Sequence, residues 1–125
     1  MQLFWICVGG ATGTAARYLL TLWSNERFGT VFPYGTLAVN LIGCFLISIV
    51  AQIAAAGEWP PTLRLALVTG VLGGFTTYSA LNHETLRLFA QGNNGLAFTY
   101  VGATLAGGLV SGWLGLTVAR LMVAR

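Results

Sequence analysis

Four apolar stretches alternate with short polar breaks along the chain, at about residues 3–23, 35–56, 63–89 and 96–122. A helix needs about 20 apolar residues to cross a hydrocarbon core about 30 Å thick, so the pattern predicts four transmembrane helices. The breaks carry turn chemistry: Ser24 to Gly29 followed by Pro33, Glu58 with the pair Pro60-Pro61, and QGNNG at residues 91–95. The first run lacks a basic leading segment and is expected to be a retained span, not a signal peptide. The third stretch differs from the others. Gly70, Gly73 and Gly74 are followed by Thr76, Thr77, Tyr78 and Ser79. Glycine loosens a helix and hydroxyls compete for its backbone groups, so local unwinding is expected between Gly73 and Ser79.

Composition narrows the class. Of 125 residues, 56% are hydrophobic and 7% charged, against roughly 25% charged in a soluble domain. The expected fold class is an all-α membrane protein of four transmembrane helices, the third broken, forming one domain with no room for a separate catalytic unit. A chain this small buries little surface alone, so an oligomer is expected. The formal charge of +3 is carried by six scattered arginines against three glutamates, which argues against nucleic acid as a partner. Cys7 and Cys44 fall in apolar runs without metal-type pairing and read as small buried residues.

The arginines also bear on orientation. With four spans, Arg64, Arg120 and Arg125 fall on one side and Arg27 and Arg87 on the other, with Arg17 just inside the membrane near that second end. Such balance gives the positive-inside rule nothing to act on. Insertion in both orientations is expected, and two opposed copies would pair as an antiparallel dimer that uses one patch twice.

Polar groups at membrane depth are costly unless they face protein or water. In the second span Thr36, Asn40, Gly43 and Ile47 share a helical face, and in the fourth Tyr100, Thr104, Gly107, Gly108, Ser111 and Gly115 do likewise. One reading is helix packing, since Gly9/Gly13, Gly70/Gly74 and Gly108/Gly112 are small-xxx-small pairs. The other is a narrow polar lane lined by Asn40, Tyr100, Thr104 and Ser111. Carbonyls freed at the broken third span suit a cation, and the following half-helix N-terminus suits an anion. The lane donates hydrogen bonds without a fixed charge, which favours a small anion. Arg17 either lines an entry vestibule or snorkels to the headgroups. Glu84 is either a pathway residue or the partner of an arginine, and His83 reads as an interfacial residue. Trp5, Trp23 and Trp59 fall near span ends, as an interfacial belt does.

The runs GGATGTAARY (9–18), GTLAVNLIG (35–43) and GVLGGFTTYSALNHE (70–84) resemble, in order, the three hallmark segments of the CrcB/Fluc fluoride-channel family. The resemblance covers the whole chain in length and layout. It implies a dual-topology antiparallel homodimer in the inner or plasma membrane, passing fluoride out of the cytoplasm down its gradient. By position it implies Asn40 as the pore asparagine, Tyr100 and Thr104 as polar-track residues and Arg17 as the first-span arginine. It further implies that main-chain carbonyls of Gly73 and Thr76 hold a structural Na+ at the dimer centre. The family places two phenylalanines three residues apart in the third span, whose ring edges meet the ion. Here Tyr78 keeps a ring at the first position and Leu81 replaces the second. Ala80 and Gly108 also stand where hydroxyls occur in some members. These departures leave two assemblies open: a homodimer with a simplified pore, or a heterodimer with a paralogue that supplies the missing groups.

Other functional classes fit less well. A four-span multidrug or cation antiporter needs a carboxylate in the first span, where Arg17 is the charged group and Glu26 lies beyond Trp23. A structural scaffold would leave Asn40 and the third-span break without a purpose. An enzyme is not expected, because no nucleophile, base and orienting group converge by spacing.

Overall fold

The computed structural model describes residues 1–57 and 59–124. Glu58 and Arg125, read above as a turn residue and as one of the balanced arginines, lie outside the described residues. The elements run α1 (Gln2–Phe28), α2 (Tyr34–Ala56), α3 (Pro61–Leu65), a π-helical stretch (Ala66–Leu72), α4 (Gly73–Phe75), α5 (Tyr78–Ala90) and α6 (Asn94–Val123). The described residues contain helices and connectors with no strand. By length and composition α2 and α6 can each cross a membrane.

Element ends depart from the polar pattern where tertiary contacts outweigh it. Residues 24–28 read as a break, yet α1 continues through them and stops at Gly29, whose φ of 79° leaves the right-handed helix region. Ser24 is buried because Gly35, at the start of α2, brings that backbone against α1. A Cβ at Gly35 would lie 2.8 Å from Thr21 Cα. At the other loop Gly92 takes φ 75° and α6 already starts at Asn94, so the connector is shorter than QGNNG suggests. Pro60 precedes α3 and Pro61 opens it, where the missing amide of proline costs nothing.

Two glycine seams set the helix arrangement. Along the first, α1 packs on the π stretch and α4. A Cβ on Gly70 would meet Ile6 O at 2.8 Å, one on Gly74 would meet Gly10 O at 2.5 Å, and one on Gly13 would collide with Val71 O. The backbones are therefore in direct contact, which maximises van der Waals packing between them. The π stretch was absent from the pattern-based reading. Its wider turn displaces the backbone by a residue just ahead of the break.

Along the second seam α6 lies on α2. Gly107 faces Leu41, Gly108 faces Cys44, Gly112 faces Ser48, and a Cβ on Gly115 would strike the Phe45 carbonyl. Much of the fourth-span small-residue stripe is thus used for packing. A compact cluster of Leu81, Leu88, Ala97 and Tyr100 joins α5 to α6, with Phe32 and Leu37 packed against it.

The seams make a contrast that can be measured. Gly13→Ala places a methyl into the Val71 backbone and should destabilise the protein by about 1–3 kcal/mol, whereas Gly102→Ala meets open space and should be neutral or slightly stabilising. Thermal unfolding of the two variants in detergent checks the ordering.

Candidate functional site

The site is built on the interruption between α4 and α5. Thr76 and Thr77 are extended, with φ/ψ of −79°/156° and −153°/120°. Exposed peptide groups at such a point need partners, and α2 delivers them. The Asn40 Nδ2 donates to the Thr77 carbonyl at 3.1 Å, and the Thr77 N–H donates to Asn40 Oδ1 at 2.9 Å. One amide side chain therefore satisfies both main-chain groups of one residue, in the pairing geometry of a sheet. Three residues on, Gly43 leaves room for the Thr76 methyl, which a Cβ there would strike.

The threonines finish the two helix ends. The Thr76 Oγ1 and N–H both donate to the Leu72 carbonyl, at 2.9 and 3.0 Å. Thr77 caps α5 by accepting from the Ala80 N–H at 3.2 Å, and its hydroxyl lies 3.1 Å from that of Ser79. Both diversions leave carbonyls behind. In an unbroken helix the Thr77 N–H would bond Gly73 O and the Ala80 N–H would bond Thr76 O, but these donors are turned to Asn40 and to the Thr77 hydroxyl. Gly73 and Thr76 therefore each present a carbonyl without its helical amide.

A second polar cluster lies further along α5. Glu84 Oε1 accepts from Thr36 Oγ1 at 2.9 Å and Oε2 accepts from the Tyr100 hydroxyl at 2.6 Å, joining α2, α5 and α6 through one carboxylate. Tyr100 is fully buried. Its ring meets Phe32 edge-on, with centroids 5.6 Å apart. Thr104, one turn along α6, donates to the Tyr100 carbonyl at 2.8 Å.

These residues border two cavities. An apolar groove of about 630 Å³ is lined by Asn40, Thr76, Thr77, Tyr78, Leu81 and Thr104, among others. Tyr78 is 80% exposed on it, while Leu81 is 7% exposed and turns its bulk into the core cluster. A polar cavity of about 200 Å³ is lined by Thr36, Glu84, His83, Arg87 and Thr30, with Thr21, Asn25, Pro33 and Gly35 completing it. The structure thus brings Asn40, Tyr78, Leu81 and Thr104 to one cavity, with Thr76 beside them, and Glu84 to the other. Tyr100 reaches the second through its bond to Glu84. Arg17 and Ser111 line neither. The hydrogen-bond partners of Glu84 are hydroxyls, not an arginine.

Sequence reasoning missed Thr77, Thr36 and Arg87 as members of these clusters. Thr36 had a readable signal, being one turn before Asn40 on the same face. Thr77 fell within the unwinding expected at Gly73–Ser79, but its pairing with Asn40 was not legible, and Arg87 had no signal, because their partners lie far along the chain. Among the described residues no three His, Cys, Asp or Glu side chains are grouped to hold a metal, and both cysteines are free; Cys7 is exposed and Cys44 half-buried, so neither is the buried residue expected.

Residues 4–116 match the family model described as CrcB-like protein, Camphor Resistance (CrcB). The chain belongs to the CrcB family. CrcB proteins are membrane proteins, in keeping with the apolar α2 and α6. Similar relatives span the chain almost end to end. A fluoride-specific ion channel FluC of Sorangium cellulosum is 52% identical over 122 residues, covering 97% of this chain and 96% of the relative. Its namesake in Acidobacterium capsulatum is 44% identical over 125 residues, covering 99% and 100%. That of Anaeromyxobacter sp. strain K is 45% identical over 120 residues, covering 95% of each.

Asn40 should be the most sensitive side chain of this CrcB site to truncation. Asn40→Ala leaves a main-chain donor and acceptor without partners, at about 1–3 kcal/mol for each buried group. Faster amide hydrogen exchange at Thr77, with a lowered unfolding temperature, is the expected result, and native-state exchange by mass spectrometry measures it.

Proposed function

We propose that this CrcB protein is a passive fluoride channel of four transmembrane spans, assembled as an antiparallel dimer of identical chains inserted in opposite orientations in the cell membrane. The observation that carries the reading is the near-complete coverage, in both directions, between this chain and relatives named fluoride-specific ion channels. The site chemistry supports it. A small, strongly hydrated anion must be given donors in place of water, yet be held weakly enough to leave again. Asn40, with one amide proton beyond its bond to Thr77, and the exposed ring of Tyr78 border the groove, where the Thr104 hydroxyl already donates to the Tyr100 carbonyl, and a second copy would cover its open apolar side. On this reading the pathway comprises Asn40, Tyr78, Leu81, Tyr100, Thr104, Ser111, Arg17 and Glu84. No covalent chemistry is involved, so no enzymatic role is assigned.

The carbonyls of Gly73 and Thr76 fit a structural Na+. Each has lost its helical amide, and hard cations favour oxygen ligands. A sodium ion there would supply positive charge that ties two broken helices together. Exchange of Na+ for a bulky organic cation should then lower dimer stability, read as a shift toward monomer on size exclusion in detergent.

Fluoride efflux from proteoliposomes, followed with a fluoride electrode, tests the main proposal. Efflux should be fast, need no proton or sodium gradient, and exclude chloride. Asn40→Asp puts a negative charge beside the Thr77 carbonyl and should abolish efflux, whereas Tyr78→Phe keeps the ring and should change it little. Normal efflux through the Asn40 variant, or gradient-driven export of a cationic dye instead, would overturn the assignment. Efflux that appears only after a related chain is added would replace the homodimer with a heterodimer.

A further inference from the structure

The guanidinium of Arg87 is out of keeping with its surroundings. Glu84 precedes it by three residues on α5, a spacing at which Glu and Arg commonly pair. Both carboxylate oxygens instead accept hydroxyl protons, from Thr36 and Tyr100. Arg87 donates through Nη2 to a neutral acceptor, the Thr30 carbonyl, at 3.1 Å. Its Nε is buried with no hydrogen-bond partner. Arginine keeps its proton in proteins, so a full positive charge borders the polar cavity with its hydrogen bonds to neutral or absent partners.

We propose that Arg87 is an anion-docking residue, which gathers the transported ion in the polar cavity before it enters the pathway. The inference rests on the fluoride-channel reading above. A cleft with low-dielectric walls focuses the field of a charge at its rim and raises the local concentration of a small counter-ion. The cavity, about 200 Å³ in volume, admits a fluoride with several waters. Glu84 also borders it and opposes anion entry, but its negative charge is held at the inner wall by two hydroxyl donors. The competing account is structural. Arg87 lies in the last turn of α5, where a cation favours the helix dipole, and it ties the α1–α2 connector through Thr30.

Salt dependence separates the two accounts, using the full chain in proteoliposomes and in detergent. At low ionic strength and low fluoride, Arg87→Gln should cut efflux about threefold or more, and Arg87→Glu further, while Arg87→Lys stays near the parent rate. The deficit should shrink as an impermeant salt shortens the Debye length. In detergent, line broadening of the fluoride NMR signal by the protein should weaken in Arg87→Gln. A deficit shared by Lys and Gln and unchanged by salt would overturn docking in favour of the structural account. Unaltered efflux and line broadening in Arg87→Gln would overturn it too. Charge-dependent broadening by a parent protein that passes no fluoride would retain docking and reject the channel, and a parent protein showing neither signal would reject both.

Discussion

A helix interrupted within an apolar chain must find partners for its freed peptide groups, and here a single amide side chain meets that demand. Asn40 accepts from and donates to Thr77, so α2 and the α4–α5 break are registered against each other by two hydrogen bonds of fixed polarity. In a low-dielectric setting each unmet group costs more than its bond would return. The pairing therefore dictates where α5 begins, which face Tyr78 presents and which carbonyls are left over. The capping hydroxyl of Thr77 and the back-bonded hydroxyl of Thr76 work to the same end.

The glycine seams make that pairing geometrically possible. Asn40 has a short reach, so α2 must approach the break closely, and Gly43 permits it by admitting the Thr76 methyl. On the opposite side α1 presses Gly9, Gly10 and Gly13 directly against the π stretch and α4. Packing and polar chemistry are thus parts of one arrangement. Small residues bring backbones together, and the few hydrogen-bonding side chains then reach main-chain groups on neighbouring helices.

The second cluster shows how a carboxylate is kept among helices of this kind. Glu84 receives two hydroxyl donors from two different helices, which offsets its desolvation without neutralising its charge by an arginine. Phe32, packed edge-on against Tyr100, holds the donor ring in place. The polar cavity and the apolar groove consequently have different characters, one bordered by charge and the other by a ring, an amide and aliphatic side chains.

Much of this was legible in the chain itself. Apolar run length marked α2 and α6, among the described residues the two helices long and apolar enough to cross a membrane, because hydrocarbon thickness sets a length that composition must match. Local chemistry singled out Gly73–Ser79, since glycine and back-bonding hydroxyls weaken a helix wherever they occur, and Asn40 stood out because a mid-span amide demands a partner. What that partner would be depended on residue 77 arriving beside residue 40, a contact between distant segments that no local pattern encodes. The same holds for the continuation of α1 through Ser24, for the π stretch, and for the choice of Glu84 between an arginine and two hydroxyls. Periodicity reports which face of a helix is polar. Only the packed backbone decides which atoms that face meets, because a hydrogen bond is won or lost over a few tenths of an ångström.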